Sequence, residues 1–128
     1  MSLSNEEKKH TLNEYIRIIS HIQDKFYQKR IWILCEGPEC QAFDDAVCDF
    51  FDIGDPILKN YKEFGVTENQ YKLLKKFRDQ FKSFSDENDF PELFIDTPEW
   101  TKIMDMAKDV LKAFNYSKKP LWIISNII

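Results

Sequence analysis

Apolar residues recur along most of this chain at three- and four-residue intervals, the period of a helix that buries one side. Leu12, Tyr15, Ile16, Ile19, Ile22 and Phe26 make the first such stripe. Ser4 and Glu7 stand ahead of it in capping-box spacing, which predicts one long amphipathic helix. The pattern dissolves into Ile31-Trp32-Ile33-Leu34-Cys35, a run that Gly37 and Pro38 stop; it is a last buried helical turn or a short strand, with the turn favoured. Cys40, Phe43, Val47, Phe50 and Phe51 suggest a second helix that ends before Gly54. Asp55 as cap with Pro56 in the first turn suggests a third, closed by Gly65. Thr67 and Gln70 form another capping box, and Gln70, Leu74, Phe77, Phe81 and Phe84 keep one apolar face through a fourth. Residues 83–96 read as an acidic loop. Thr97 as cap and Pro98 just inside open a fifth helix, whose stripe is Trp100, Ile103, Met104, Ala107, Val110, Leu111 and Phe114.

The chain closes on Leu121-Trp122-Ile123-Ile124 and Ile127-Ile128, an apolar end that calls for cover, by a strand pairing with residues 31–35 or by a dimer contact. The expected fold is therefore a single helical domain over residues 1–128: all-α in the main, a compact bundle of about five helices, with at most a minimal β element from residues 31–35 and 121–125.

Composition sharpens this picture. Eleven Phe and an aromatic share of 15% predict a core built around large flat side chains. With 3 Gly and 5 Pro, turn-dense sandwiches and Gly-rich phosphate loops are disfavoured. The three cysteines, at 35, 40 and 48, match neither CxxC pairs nor a small secreted framework. They are expected as reduced thiols, with Cys40 and Cys35 as small core residues. Residues 4–9 are wholly polar and no run reaches the ~18 apolar residues of a membrane span. A monomeric or weakly dimeric cytoplasmic protein is expected.

The net charge of −4 conceals an uneven distribution. Between residues 31 and 58 there is no Lys or Arg, while Glu36, Glu39, Asp44, Asp45, Asp49, Asp52 and Asp55 supply seven carboxylates. Asp86, Glu87, Asp89, Glu92, Asp96 and Glu99 repeat the pattern between residues 83 and 101. These blocks hold thirteen of the 22 acidic residues and none of the 18 basic ones. On a helical wheel Asp45, Asp49 and Asp52 lie opposite Phe43, Val47 and Phe50. Like charges four residues apart oppose an isolated helix by about 0.2–0.5 kcal/mol per pair, so local stability does not explain the arrangement. Such a face is solvated surface, or it steers a cationic partner. On the second reading the candidate contacts are Asp45, Asp49, Asp52 and Asp55, with Glu39 and Tyr61 nearby. Asp86, Glu87 and Asp89 form a second patch.

Signatures of catalysis are missing from the sequence. His10 and His21 lie about 16 Å apart by helical rise, too far to share a metal. No HExxH, DxDxDG or GxSxG pattern occurs, so neither an enzyme nor a metal or cofactor site is expected. A competing reading uses Lys72, Lys75, Lys76 and Lys82 on the helix at 68–84 as a basic face for nucleic acid. Asp79 interrupts that face and the whole chain is acidic, with pI near 5.2.

Residues Asp96-Thr97-Pro98-Glu99-Trp100-Thr101-Lys102-Ile103, followed by Ala107-Lys108-Asp109-Val110-Leu111, give a segment that resembles immunity proteins of bacterial contact-dependent growth inhibition systems. The likeness covers mainly residues 61–114. It implies a cytoplasmic antidote that binds a cognate toxin domain, often a nuclease, and blocks its active site or substrate groove. Such a domain is basic because it grips phosphate. No family interface motif exists to transfer onto this chain, so the carboxylates above are candidates on charge alone.

Overall fold

The computed structural model describes residues 3–36 and 41–116, and the fold is all-α. Its elements are α1 (Asn5–Ile22), α2 (Lys25–Tyr27) running into a π-helical segment (Gln28–Ile33), α3 (Phe43–Lys59), a 3-10 turn (Tyr61–Phe64), α4 (Glu68–Glu87), α5 (Pro91–Phe94) and α6 (Pro98–Ala113). No strand occurs among the described residues.

Ring contacts fix how the four long helices are threaded. Phe43 meets Phe81, Phe50 meets Phe77, and Asp55 meets Arg78, so α3 and α4 run in opposite directions. At the far end the Gln70 amide donates to the Ala113 carbonyl, which sets the start of α4 beside the end of α6. Tyr15 of α1 packs on Phe50, and α1 also lies against α6. The result is an up-down-up-down four-helix bundle. One end, called here the pole, collects the finish of α1, α2, the π segment, the start of α3, the finish of α4, α5 and the start of α6.

Beneath the pole lies an aromatic cluster. Phe43 sits within 4.9–6.2 Å, centroid to centroid, of Trp32, Phe81, Phe94 and Trp100. Gln28 is fully buried beside it. Its carboxamide oxygen accepts from Trp100 Nε1 at 2.9 Å, while its nitrogen donates to the carbonyls of His21 at 3.1 Å and Ile22 at 2.8 Å. One side chain thus satisfies the end of α1 and ties it to α6.

Several boundaries differ from the sequence reading. The predicted first helix ends at Ile22, because Asp24 caps a new start by accepting from the Tyr27 amide; Phe26 consequently leaves the stripe and is exposed. Residues 31–33 are helical, the Leu34 amide donating to the Lys29 carbonyl at the five-residue spacing of a π turn, so they form no strand. Residues 121–125 lie outside the described residues. The second and third predicted helices are one. Gly54 does not end α3, because it is the point where Tyr15 crosses: a Cβ there would stand 2.3 Å from a ring carbon of Tyr15. Pro56 does not start a helix but sits inside α3, leaving the Asp52 carbonyl, on the exposed face, without its usual donor. Residues 83–96 are mostly helical rather than loop, split between the last turns of α4 and the single turn of α5 that Pro91 opens.

The caps at Ser4, Thr67 and Thr97 stand where the sequence places them, and Gly65 ends the 3-10 turn at φ 73°. Cys35 is exposed and disulfide-bonded, so it is neither a core residue nor a reduced thiol. Cys48 is an exposed free thiol, and Cys40 lies outside the described residues.

Candidate protein interface

The outer face of α3 carries the first acidic block. Phe43, Ala46, Phe50, Gly54, Ile57 and Leu58 bury one side, which turns Asp44, Asp45, Asp49 and Asp52 outward. Cys48 sits among them. Asp45 accepts weakly from the Ala42 amide at 3.4 Å and Asp49 accepts from the Gln41 side chain at 3.0 Å. No Lys or Arg pairs with any of these four among the described residues. Their charge is open to solvent.

Asp55 differs. Arg78 grips it in a two-pronged bridge, Nε at 3.1 Å and Nη2 at 3.2 Å, and this pairing holds the guanidinium above its ordinary value. Asp55 therefore joins α3 to α4 and is already neutralised. Tyr61 is at the end of the bundle away from the pole, half-buried and stacked on Tyr71 at 4.1 Å, so it stands apart from the Asp45 group. Glu39 lies outside the described residues.

Asp86, Glu87 and Asp89 come to the pole, on the exposed end of α4 and just beyond it. Asp86 is paired with Lys82 at 3.2 Å. A helix C-terminus is the negative end of the macrodipole, and α4 has no basic residue in its last turn. Carboxylates there oppose local stability. The first block begins at this same end, with Asp44 and Asp45, and runs away from it down α3 through Asp49 and Asp52 to Asp55. Between the end of α4 and the start of α6 the surface opens into a cleft of about 460 Å³, floored by Phe84 and Ile103 and edged by Glu87, Asn88, Glu99 and Lys102. On its α2 flank the pole carries cations, Lys25, Lys29 and Arg30, of which Lys25 is bound to Asp96 at 2.9 Å. That contact holds the Asp96 carboxyl below its ordinary value.

The basic face of α4 has a different character. Lys72 pairs with Glu68, Lys75 with Asp79 and Lys82 with Asp86, each four residues apart, and Arg78 is committed to Asp55 and Asp79. Lys75, then Arg78, holds Asp79 below its ordinary value. These pairs neutralise most of the charge that would have to meet phosphate.

Sequence reasoning missed four exposed apolar residues at the pole. Phe26 and Leu93 are each 76% exposed, Leu34 62% and Phe90 60%. Among the described residues the other exposed large apolar ones, Leu3 and Leu73, are nearer 40%. A signal for two of them was present: Asp89-Phe90-Pro91-Glu92-Leu93 alternates acidic and apolar residues around a helix-starting proline. The acidic composition masked it.

Buried chemistry is sparse. The Tyr15 hydroxyl and the Trp32 indole nitrogen are buried without hydrogen-bond partners, and burial, reinforced by Asp55, pushes the Tyr15 phenol well above its ordinary value. Among the described residues no group of three or more His, Cys, Asp or Glu is placed to hold a metal ion. No described helix is long and apolar enough to cross a membrane.

Comparison with known proteins adds no relative: no family model, no curated protein and no solved structure matches the chain.

Proposed function

We propose that this protein is an immunity-type antidote that binds a basic toxin domain one to one and blocks its active site or substrate groove. One observation carries the reading. Asp44, Asp45, Asp49 and Asp52 stay unneutralised by Lys or Arg on the exposed side of one helix, whereas Asp55 on the same helix, and Asp79 and Asp86 on α4, are paired with cations. A surface of this kind raises the encounter rate with a cationic protein and repels nucleic acid. Asp86, Glu87 and Asp89 lie at the end where α3 begins, so they extend the field beyond Asp44 and Asp45. Nuclease domains, which must be basic to hold phosphate, are the partner class it suits best.

The antidote acts in the cytoplasm, where a nuclease meets its substrate. The disulfide-bonded Cys35 is exposed and lies outside the buried core. Nucleic-acid binding through α4 is the weaker reading, because Lys72, Lys75 and Lys82 each have an acidic neighbour one turn away. The experiment that separates them is retrieval of the protein from its own cells with mass-spectrometric identification of what it holds. A basic polypeptide whose toxicity or nuclease activity is abolished at one equivalent supports the antidote. Retention of RNA or DNA that salt removes, with no stoichiometric protein, contradicts it.

A further inference from the structure

The carboxylates of α3 explain how a basic partner would be attracted, but not what would hold it once it arrives. The cleft between the end of α4 and the start of α6 supplies such a place. On its floor Phe84 is half-buried and packed against Phe94 at 5.0 Å and Trp100 at 5.2 Å, which fixes the ring. Glu87 on α4 and Glu99 on α6 line the same cleft, and neither is paired with Lys or Arg among the described residues. The Asn88 amide nitrogen is committed to the Phe84 carbonyl at 2.9 Å, which leaves the amide oxygen as an acceptor. α4 is also short of donors where it ends. Unlike α1, α3 and α6, it has among the described residues no cap N–H turned back onto its last carbonyls, and it has no basic residue in its last turn. The negative end of its macrodipole therefore opens beside the cleft.

Acceptors of this kind over an aromatic floor select a planar cation. A guanidinium carries five N–H donors and no acceptor, and it stacks on an aromatic face, so it answers the carboxylates, the Asn88 oxygen and the Phe84 ring together. Lys102 lines the cleft too, so the lining sets two carboxylates against one ammonium; Lys25, Lys29 and Arg30 do not line it. We propose that the cleft receives one arginine side chain of the basic partner, its guanidinium between Glu87 and Glu99 over the Phe84 ring and its methylenes along Ile103. This rests on the antidote reading and adds its anchor, an arginine packed in a pocket being a common source of interface affinity.

The test titrates the isotope-labelled full chain with N-acetyl-arginine methylamide, and separately with the citrulline analogue, which has nearly the same shape without the charge. Amide chemical shifts at Phe84, Asn88 and Glu99 should saturate with the arginine compound, and citrulline should bind about fivefold more weakly or worse. Glu87→Gln with Glu99→Gln should weaken the arginine compound by a similar factor. The unfolding midpoint should hold, since Glu99 favours the dipole of its helix and Glu87 opposes that of its own. Lys102→Gln should act the other way and strengthen binding about twofold. Equal binding of arginine and citrulline, or wild-type affinity in both variants, overturns the proposal. So does saturable binding of N-acetyl-aspartate methylamide that Lys102→Gln abolishes, which would assign the cleft to an anion. With the basic polypeptide retained from cells, Glu87→Gln with Glu99→Gln should speed dissociation about tenfold. If dissociation is unchanged while Asp45→Lys with Asp49→Lys still slows association, the arginine anchor alone fails. Should neither pair of substitutions change either rate, the antidote reading fails as well.

Discussion

Replacing Gln28 by Leu tests the joint on which the pole is built. The substitution keeps side-chain volume near constant but removes one acceptor and two donors. It strips the Trp100 indole N–H of its 2.9 Å acceptor and the Ile22 carbonyl of its 2.8 Å donor, both at buried positions. Each orphaned buried group costs about 1–3 kcal/mol, and the apolar surface gained by Leu recovers part of it. A net loss of about 2 kcal/mol is expected, against a total stability of about 6–19 kcal/mol for a chain of this length. With a urea slope of about 2 kcal/mol/M the midpoint should fall by about 1 M at unchanged slope, read from tryptophan fluorescence and far-ultraviolet circular dichroism together. The decisive comparison is made in a Trp100→Phe background, where no indole N–H remains to be orphaned. Gln28→Leu should cost less there by about 1 kcal/mol or more. Equal cost in both backgrounds would refute the claim that Gln28 acts by accepting from Trp100.

Three further outcomes follow from the same contacts. Gly54→Ala should destabilise by about 1–3 kcal/mol through the clash with Tyr15, but in a Tyr15→Leu background it should stabilise by about 0.5 kcal/mol through helix propensity; urea unfolding that gives the same sign in both would contradict the close crossing of α1 and α3. Cys48, ringed by Asp44, Asp45 and Asp52, should react more slowly with an anionic disulfide reagent than with a neutral maleimide, and salt at about 0.5 M should speed only the former; identical salt responses would mean that no strong negative potential exists there. Asp79 and Asp96 titrate in the folded state below 3.8, chiefly through Lys75 and Lys25. Their contribution is complete above the unfolded value and lost as pH falls through the folded one, so the thermal midpoint should drop on acidification below about pH 4 and should not rise.

Much of the bundle is legible in the sequence because its helix starts carry local chemistry. Ser4–Glu7, Thr67–Gln70 and Thr97–Pro98 each satisfy orphan backbone groups within a few residues, so each helix start falls where spacing alone puts it. Errors arise where a distant partner decides. Gly54 reads as a helix end until Tyr15, 39 positions away in sequence, is found to occupy the space a side chain would take. Pro56 reads as a helix start, yet packing of Ile57 and Leu58 into the core carries α3 through it. Phe26 continues the apolar stripe of α1 on paper, but the cap at Asp24 re-phases the chain and turns it outward. Among the candidate contacts the wheel places Asp45, Asp49 and Asp52 correctly on one open face. It could not foresee that Arg78, twenty-three residues beyond Asp55, would neutralise that carboxylate, nor that Tyr61 would stack on Tyr71 at the opposite end.

The central claim is that the open carboxylates of α3 exist to meet a cationic protein, and association kinetics with the basic polypeptide retained from its own cells measure this most directly. Asp45→Lys with Asp49→Lys should lower the association rate by about tenfold or more near 50 mM salt, with the difference shrinking toward 0.5 M and thermal stability held within about 1 kcal/mol. An association rate equal to that of the wild type at every salt concentration would contradict the account.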